Sequence, residues 1–422
     1  MQLPKLFLQA GRDEAIRRFH PWVFSGAISR YEGNLSDGDV VEVFDKKGSY
    51  LATGHYHDGS IAVRIFSFER IVPDVHYWTK KLTGIRQFRQ AIVANATGKA
   101  SHGVDSPSMD SPGEASPGMQ TDCYRLVHGE GDGCSGLIID FYNGVAVLQA
   151  HSIGMHRERN LISEALKNVY GDELVAVYDK SHETVPETYG QTVTNGYLLG
   201  TAETPYEVHE NGHAFWVDWV TGQKTGFFLD QRDNRQLLAR YANGKRVLNT
   251  FCYSGGFSVY ALKAGASQVY SVDTSQKAID LTNRNVALNE TEAEKEPSNS
   301  RHEAIKEDVM EYLKTHPEQY DIVVLDPPAY AKNISARHRA VQGYKRLNIE
   351  GFKRVAKGGI LFTFSCSQVV DRELFYNTVV AAAIEAGRQV RVLHHLSQPA
   401  DHPVSLFHPE GGYLKGLVLW VE

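Results

Sequence analysis

The spacing of apolar and polar residues changes rhythm twice along this chain. Up to about residue 70 it is short alternation. The run "DGDVVEVFDKKGSYLATGHYHDGSIAVRIFSF" sets apolar residues two apart and breaks them with Gly and Asp. A period of two belongs to half-buried strands joined by tight turns, and it predicts a small barrel. A period of three to four follows. In "DVHYWTKKLTGIRQFRQAIV", Trp78, Leu82, Ile85, Phe88 and Ile92 line one face of a helix. Strand-like runs resume in "CYRLVHGEGDGCSGLIIDFYNGVAVLQAH", with a helix near 155–170 and strands to about 200. "PYEVHENGHAFWVDW" predicts a hairpin turning at Asn211-Gly212.

From about 235 strands and helices alternate. "RVLNTF", "QVYSVD", "HEAIKED", "DIVVLD" and "ILFTFSC" read as strands, separated by helical runs such as "GFSVYALKAG" and "SQKAIDLTNRNVALN". This predicts a parallel, doubly wound sheet. The expected organisation is therefore a small β-barrel over 1–72, a middle α+β part over 73–210, and a Rossmann-like α/β domain over 211–422. Residues 96–120 hold twelve Ser, Gly or Pro in twenty-five positions. That composition cannot bury enough apolar area to offset its ordering, so it is expected to be a flexible insertion. Residues 290–300, "ETEAEKEPSNS", are expected to be a solvated loop.

Composition narrows the class. No window holds 18 uninterrupted apolar residues, which predicts no membrane span, and the first residues show no signal-peptide core. Four cysteines without a metal-type CxxC pair predict free thiols, no metal site and a cytoplasmic protein. The net charge is −6, unevenly spread. Residues 1–95 carry 13 Lys and Arg against 10 Asp and Glu, while the rest carries 31 against 40. The N-terminal part is thus the more basic one.

In an open parallel sheet, ligands bind beyond the carboxyl ends of the strands. The first strand runs into "CYSGGFS", where Gly255 and Gly256 permit a tight turn into a helix N-terminus. The second ends at Asp273, suited to both hydroxyls of a ribose. The third leads to Asp308, which suits an adenine amino group but is also a helix-capping residue type. The fourth ends in Asp326-Pro327-Pro328, and the fifth at Cys366. No P-loop lysine motif and no GxGxxG is present, which argues against an NTPase or an NAD enzyme. A thiol at the strand end beside "DPP" suits covalent catalysis by a nucleophile. Cys252 in "FCYSGG" competes for that role but fits cofactor packing better. Cys123 and Cys134 lie outside this fold.

Taken together, Gly-Gly, Asp273, Asp308 and "DPP" at successive strand ends resemble the class I S-adenosylmethionine-dependent methyltransferases. The resemblance implies that Asn249, Phe251, Tyr253, Gly255 and Gly256 wrap the methionine and ribose, with Asp273 on the ribose and Asp308 on the adenine. It also implies that "KTGFFLDQRDNR" (224–235) closes over the cofactor through Gln231, Arg232 and Arg235. "RFHPWVFSGAI", "DGCSGLIIDFY", "DPPAYAK", "TFSCS", "ADHPV" and "PEGGYLKG" extend the likeness over nearly the whole chain, to the bacterial 5-methylcytosine methyltransferases of large-subunit ribosomal RNA. That family implies a PUA domain, S-adenosylmethionine as cofactor, 23S ribosomal RNA as substrate, Cys366 as nucleophile and Asp326 at the pyrimidine edge. Related enzymes keep a second cysteine in the "DPP" motif. Here there is none, so His402 and Glu410 are the candidates for removing the carbon 5 proton. A PUA-like barrel would meet RNA through Arg17, Arg18, His20, Trp22, Lys46 and Lys47. The middle domain leaves room for a homodimer. Two alternatives stand beside this reading: a 5-methyluridine methyltransferase, and a non-catalytic RNA-binding or ribosome-assembly protein.

Overall fold

The computed structural model describes residues 3–96, 121–292, 300–331 and 333–422. The expected insertion from 97 on, and the loop from 293 to 299, lie outside the described residues. The chain forms two compact units, and neither is contiguous. The first comprises Met1–Gly212, Val217–Leu229 and Ala400–Gly411; the second comprises His213–Trp216, Asp230–Pro399 and Gly412–Glu422.

The first unit contains two sheets. One has six strands in the order Trp22–Phe24, Ile61–Ser67, Tyr50–Tyr56, Val40–Phe44, Lys5–Leu8 and Ile28–Glu32. The alternation read from the sequence is what fills its core, with Leu6 and Leu8, Val41 and Val43, and Val63 and Ile65 all turned inward. The other has five strands in the order Gly196–Leu199, Ala176–Asp179, Val145–Ala150, Leu137–Tyr142 and Cys123–His128. The Val75–Ala96 helix joins this second core through Trp78, Leu82 and Ile85. Phe88 departs from the expected face and is 43% exposed. Its neighbour Arg89 is buried instead, giving Nε to the Arg125 carbonyl and pairing with Asp132. A buried guanidinium bonded through two of its nitrogens to a carbonyl and a carboxylate holds that turn of the helix to the sheet, with Phe88 facing outward. Asn211 (φ 50°) and Gly212 (φ 78°) both take left-handed backbone, as a two-residue hairpin turn demands. Among the described residues, no helix is long and apolar enough to cross a membrane.

The second unit is built on a seven-stranded sheet. In chain order its strands are Arg246–Thr250, Gln268–Asp273, His302–Lys306, Tyr320–Leu325, Val355–Ser365, Val390–Leu396 and Lys415–Val421. Their order in the sheet is 3-2-1-4-5-7-6. The first five are parallel, and the seventh runs antiparallel between the fifth and sixth. Helices cover both faces, so the strands are continuously apolar rather than alternating. Leu248, Val272, Val323, Leu325 and Leu361 pack with Leu347, Phe352 and Phe375 from the helices Arg337–Arg354 and Arg372–Glu385. Strand order reverses between the first and fourth strands, where such sheets open a crevice for ligands.

Candidate active site

The loop leaving the first strand is the most strained backbone in the second unit. Phe251 (φ 56°), Tyr253 (φ 46°) and Gly255 (φ 72°) alternate through left-handed conformation within five residues. Such strain persists only where neighbours over-determine it, and it collects at ligand clamps. The neighbours here come from the helix Gln276–Asn289. Thr282 Oγ1 donates to the Tyr253 carbonyl at 3.1 Å, and Asn285 Nδ2 donates to the Ser254 carbonyl at 2.8 Å. A Cβ on Gly255 would meet Thr282 Cγ2 at 2.7 Å, and one on Gly256 would meet Arg235 Cδ at 2.9 Å. Both glycines are therefore needed for close approach, not only for flexibility.

Asp273 ends the second strand half-buried. Its Oδ2 accepts from the Tyr253 N–H at 3.1 Å and its Oδ1 from the Ser275 N–H at 2.9 Å. Two backbone donors fix the carboxylate, and its remaining lone pairs are able to take two adjacent hydroxyls. With the first turn of the helix Gly256–Lys263 beside it, this set fits a nucleoside-bearing cofactor. Asn249, expected from the sequence to help wrap the cofactor, turns its side-chain amide inward. It is buried and gives Nδ2 to Ser258 Oγ (2.8 Å), which pairs with Ser271 Oγ (2.7 Å) and, through it, with His302 Nε2 (2.8 Å). This polar chain lies under the loop and supports it. Asp308 is exposed and caps the helix Val309–Thr315, accepting from the Glu311 N–H at 3.1 Å. Gln231, Arg232 and Arg235 are all buried at the start of the helix Arg232–Ala242. Gln231 Oε1 accepts from Asn234 Nδ2 at 2.6 Å, and the Arg235 guanidinium lies 6.0 Å from the Tyr260 ring.

Cys366 follows the last residue of the fifth strand, and Asp326 follows the last residue of the fourth, its parallel neighbour. Both are half-buried. The two strand ends are tied together, because Ser367 Oγ donates to the Ala331 carbonyl at 2.7 Å. Tyr344, from the helix behind them, is pushed up to about 12, mainly by burial, with the negative charges of Cys366 and Asp326 adding to it. The other thiols are fully or nearly buried. Cys252, 3.4 Å from Thr282 Oγ1, and Cys134 are each pushed up to about 12 by burial, and Cys123 contacts the His209 carbonyl. One residue of the "PEGGYLKG" stretch was given no role by the sequence pattern. Lys415 is buried at the start of the seventh strand and gives Nζ to the Ser367 and Tyr413 carbonyls.

The remaining candidates belong to the first unit. His402 is buried, with Nδ1 2.9 Å from Asp401 Oδ1 and its ring 5.1 Å from that of His128. Glu410 is largely exposed, 3.8 Å from His408. Arg17 is engaged by Asp13 and Asp45, each at 2.6 Å, whereas Arg18 projects into solvent. Lys46 and Lys47 are exposed in a turn whose Lys47 and Ser49 N–H groups bind Asp45. Trp22 gives Nε1 to Glu130 at 2.9 Å and sits against His408, and His20 packs edge-on to Trp22. The exposed aromatic surface is made by other residues. Phe19, Phe24, Phe68 and Phe407 are 37–52% exposed, and Phe19 contacts both Phe68 and Phe407 at 5.3 Å. Four phenylalanines from separated stretches gave no local sequence signal.

A family profile for S-adenosylmethionine-dependent methyltransferases matches residues 124–412, and one for PUA-like domains matches residues 6–68. The ribosomal RNA large subunit methyltransferase I of Aeromonas hydrophila subsp. hydrophila is 38% identical over 421 residues, 98% of each chain. The protein of the same name from Salmonella typhi is 38% identical over 423 residues, 98% of this chain and 97% of that one. Among solved structures, a chain described as a SAM-dependent methyltransferase from Streptococcus mutans gives a TM-score of 0.78 at 22% identity, covering 99% of each chain. That likeness is one of fold.

Proposed function

This chain belongs to the S-adenosylmethionine-dependent methyltransferase family, and from that premise we propose that it methylates carbon 5 of a cytosine in large-subunit ribosomal RNA through a covalent adduct at Cys366. The supporting observation is the contrast among the thiols. Cys366 is half-buried at a strand end beside Asp326, while Cys123, Cys134 and Cys252 are sealed from solvent.

S-adenosylmethionine, when bound, supplies an electrophilic methyl group. Asp273 and the strained loop at Phe251–Gly255 would hold its nucleoside part, Asp308 its adenine, and the segment with Gln231 and Arg232 would close over it, Arg232 toward the methionine carboxylate. The Cys366 thiolate forms a bond to carbon 6 of the pyrimidine, and the carbon 5–carbon 6 π pair moves to carbon 5. Asp326 holds the polar edge of the ring and steadies the adduct. Once carbon 5 is methylated, a base removes its proton. That electron pair restores the double bond, and the carbon–sulfur bond breaks to return the thiolate. His402 and Glu410 are the bases this reading retains.

A paired base cannot reach a nucleophile at a strand end, so the target nucleotide is unpaired or flipped out. The first unit suits a single-stranded partner, because Phe19, Phe24 and Phe68 of the PUA-like part and Phe407 offer rings for stacking and Arg18, Lys46 and Lys47 offer charge for phosphates. The division at residues 72 and 210, a homodimer through the middle part and a cytoplasmic location complete the proposal. Limited proteolysis and light scattering test the first two.

The decisive experiment labels ribosomal RNA from cells lacking this protein, using the purified enzyme and radioactive cofactor, and identifies the nucleoside. 5-Methylcytidine is expected. 5-Methyluridine would change the base while keeping the thiol chemistry, and N-methyladenosine would defeat the covalent mechanism.

A further inference from the structure

We propose that Lys415 is a positioning residue for Cys366: its buried ammonium pins the loop carrying the thiol and favours the thiolate over the thiol. This rests on Cys366 being the nucleophile.

The geometry comes first. In the antiparallel pairing of the fifth and seventh strands, Lys415 lies directly opposite Ser365, the residue before Cys366. Its Nζ donates to the carbonyl of Ser367, the residue after Cys366, at 2.6 Å, and to the Tyr413 carbonyl at 2.8 Å. One lysine thus grips both sides of the cysteine, through strand pairing and through its head group. Gly416 makes this approach achievable. A Cβ there would meet Phe364 Cδ1 at 2.6 Å and the Thr363 carbonyl at 3.0 Å. Any other residue would push the seventh strand off the fifth, and Lys415 with it.

The electrostatics follow. Lysine is almost never fully buried unless paired. Lys415 is 4% exposed, its two hydrogen bonds go to neutral carbonyls, and it makes no ion pair among the described residues. An ammonium has three donors, so one remains after the two carbonyls. Burial pushes this lysine down to about 8. Of the groups facing it, Cys366 and Asp371 favour its charged form and Arg372 opposes it. Tyr344 faces both Cys366 and Asp326. A carboxylate at Asp326 disfavours a thiolate, and a cation near the sulfur offsets it. Lys415 is that cation, and the proton leaving sulfur goes to solvent.

The test reads the thiol itself. Alkylation of Cys366 by iodoacetamide, followed by peptide mass spectrometry across a pH series, gives its ionisation midpoint without any methyl transfer. The native protein is expected to show a midpoint below the ordinary thiol value of about 8.5. Lys415→Met should raise it by about one unit or more, which cuts thiolate at neutral pH roughly tenfold. Its turnover should fall in step at neutral pH and recover at alkaline pH. Lys415→Arg keeps the charge and should restore most of the native midpoint. A native midpoint at or above the ordinary value, or an unmoved midpoint in Lys415→Met, overturns the proposal. The first of these needs no variant, so it decides the matter even if Lys415→Met does not fold. Cys366→Ala assayed for methyl transfer separates the two ideas. Full turnover in that variant sinks the nucleophile assignment, whereas a dead variant with an unmoved midpoint sinks only the role of Lys415.

Discussion

Two loops of the second unit each begin with a cysteine or reach one within two residues, and their surroundings differ. Cys252 follows the first strand by one residue. It is sealed against Thr282, and burial holds its proton on. Cys366 follows the fifth strand directly and is half-buried, near enough to Tyr344 and Lys415 to act on their charge states. Residue type and topological place are nearly the same. What differs is what the neighbouring helix or strand supplies. A hydroxyl beside the first thiol suits a packing group, while the second lies half-buried at a strand end, where our proposal sets it against the Lys415 ammonium. Strain is divided the same way. The first loop carries Phe251 and Tyr253 in left-handed backbone to shape a cradle, and the second is held by hydrogen bonds from Ser367 and Lys415.

The sharpest way to break this comparison is to remove each thiol in turn. Cys366→Ala is expected to lower turnover at least about a thousandfold, as loss of a nucleophile does, with cofactor affinity unchanged by calorimetry. Normal turnover would make the two thiols equivalent. A smaller effect tests the support under the first loop. Burial drives His302 down to about 4 from an ordinary value of 6.5, so it stays neutral in the folded chain. The unfolded chain takes up that proton first as pH falls. Stability contributed by neutral His302 is thus complete above pH 6.5 and is lost as pH falls toward 4. Melting temperatures across that range should fall, and His302→Gln, which is still able to meet Ser271, should flatten the fall. An unchanged slope would remove His302 from the explanation. The smallest expected effect is Cys252→Ala. Turnover should stay within about twofold and unfolding should cost about 1 kcal/mol, because only packing is lost. A large loss of turnover here, with cofactor affinity intact, would move the nucleophile to the first strand.

Much of this was visible in residue order. Period-two runs such as Val41 and Val43 became the first sheet, and the strand–helix alternation after 235 became the doubly wound sheet. Strand ends are readable because an apolar run must stop where solvent begins, which is how Asp273, Asp326 and Cys366 stood out. The hidden parts depend on contacts across long sequence distances. Nothing near Asn249 says that its amide turns inward to Ser258 rather than outward. Arg17 looked available for phosphates, but Asp45, twenty-eight residues away, occupies it. Phe88 was on the expected helix face until Arg89 took the buried position. Lys415 sits in a strand where a lysine has no pattern to announce it, and only its partners reveal what it does.

The interleaving of the two units has a consequence for how the protein is made. Ala400–Gly411 belongs to the first unit, although most of that unit precedes residue 230. On the ribosome, a domain usually finishes folding before the next one emerges. That order is closed to this chain. The first unit stays incomplete until the polymerising chain has passed residue 411, by which point nearly all of the second unit has been synthesised. The last segment of the first unit is thus added only when most of the second has been made.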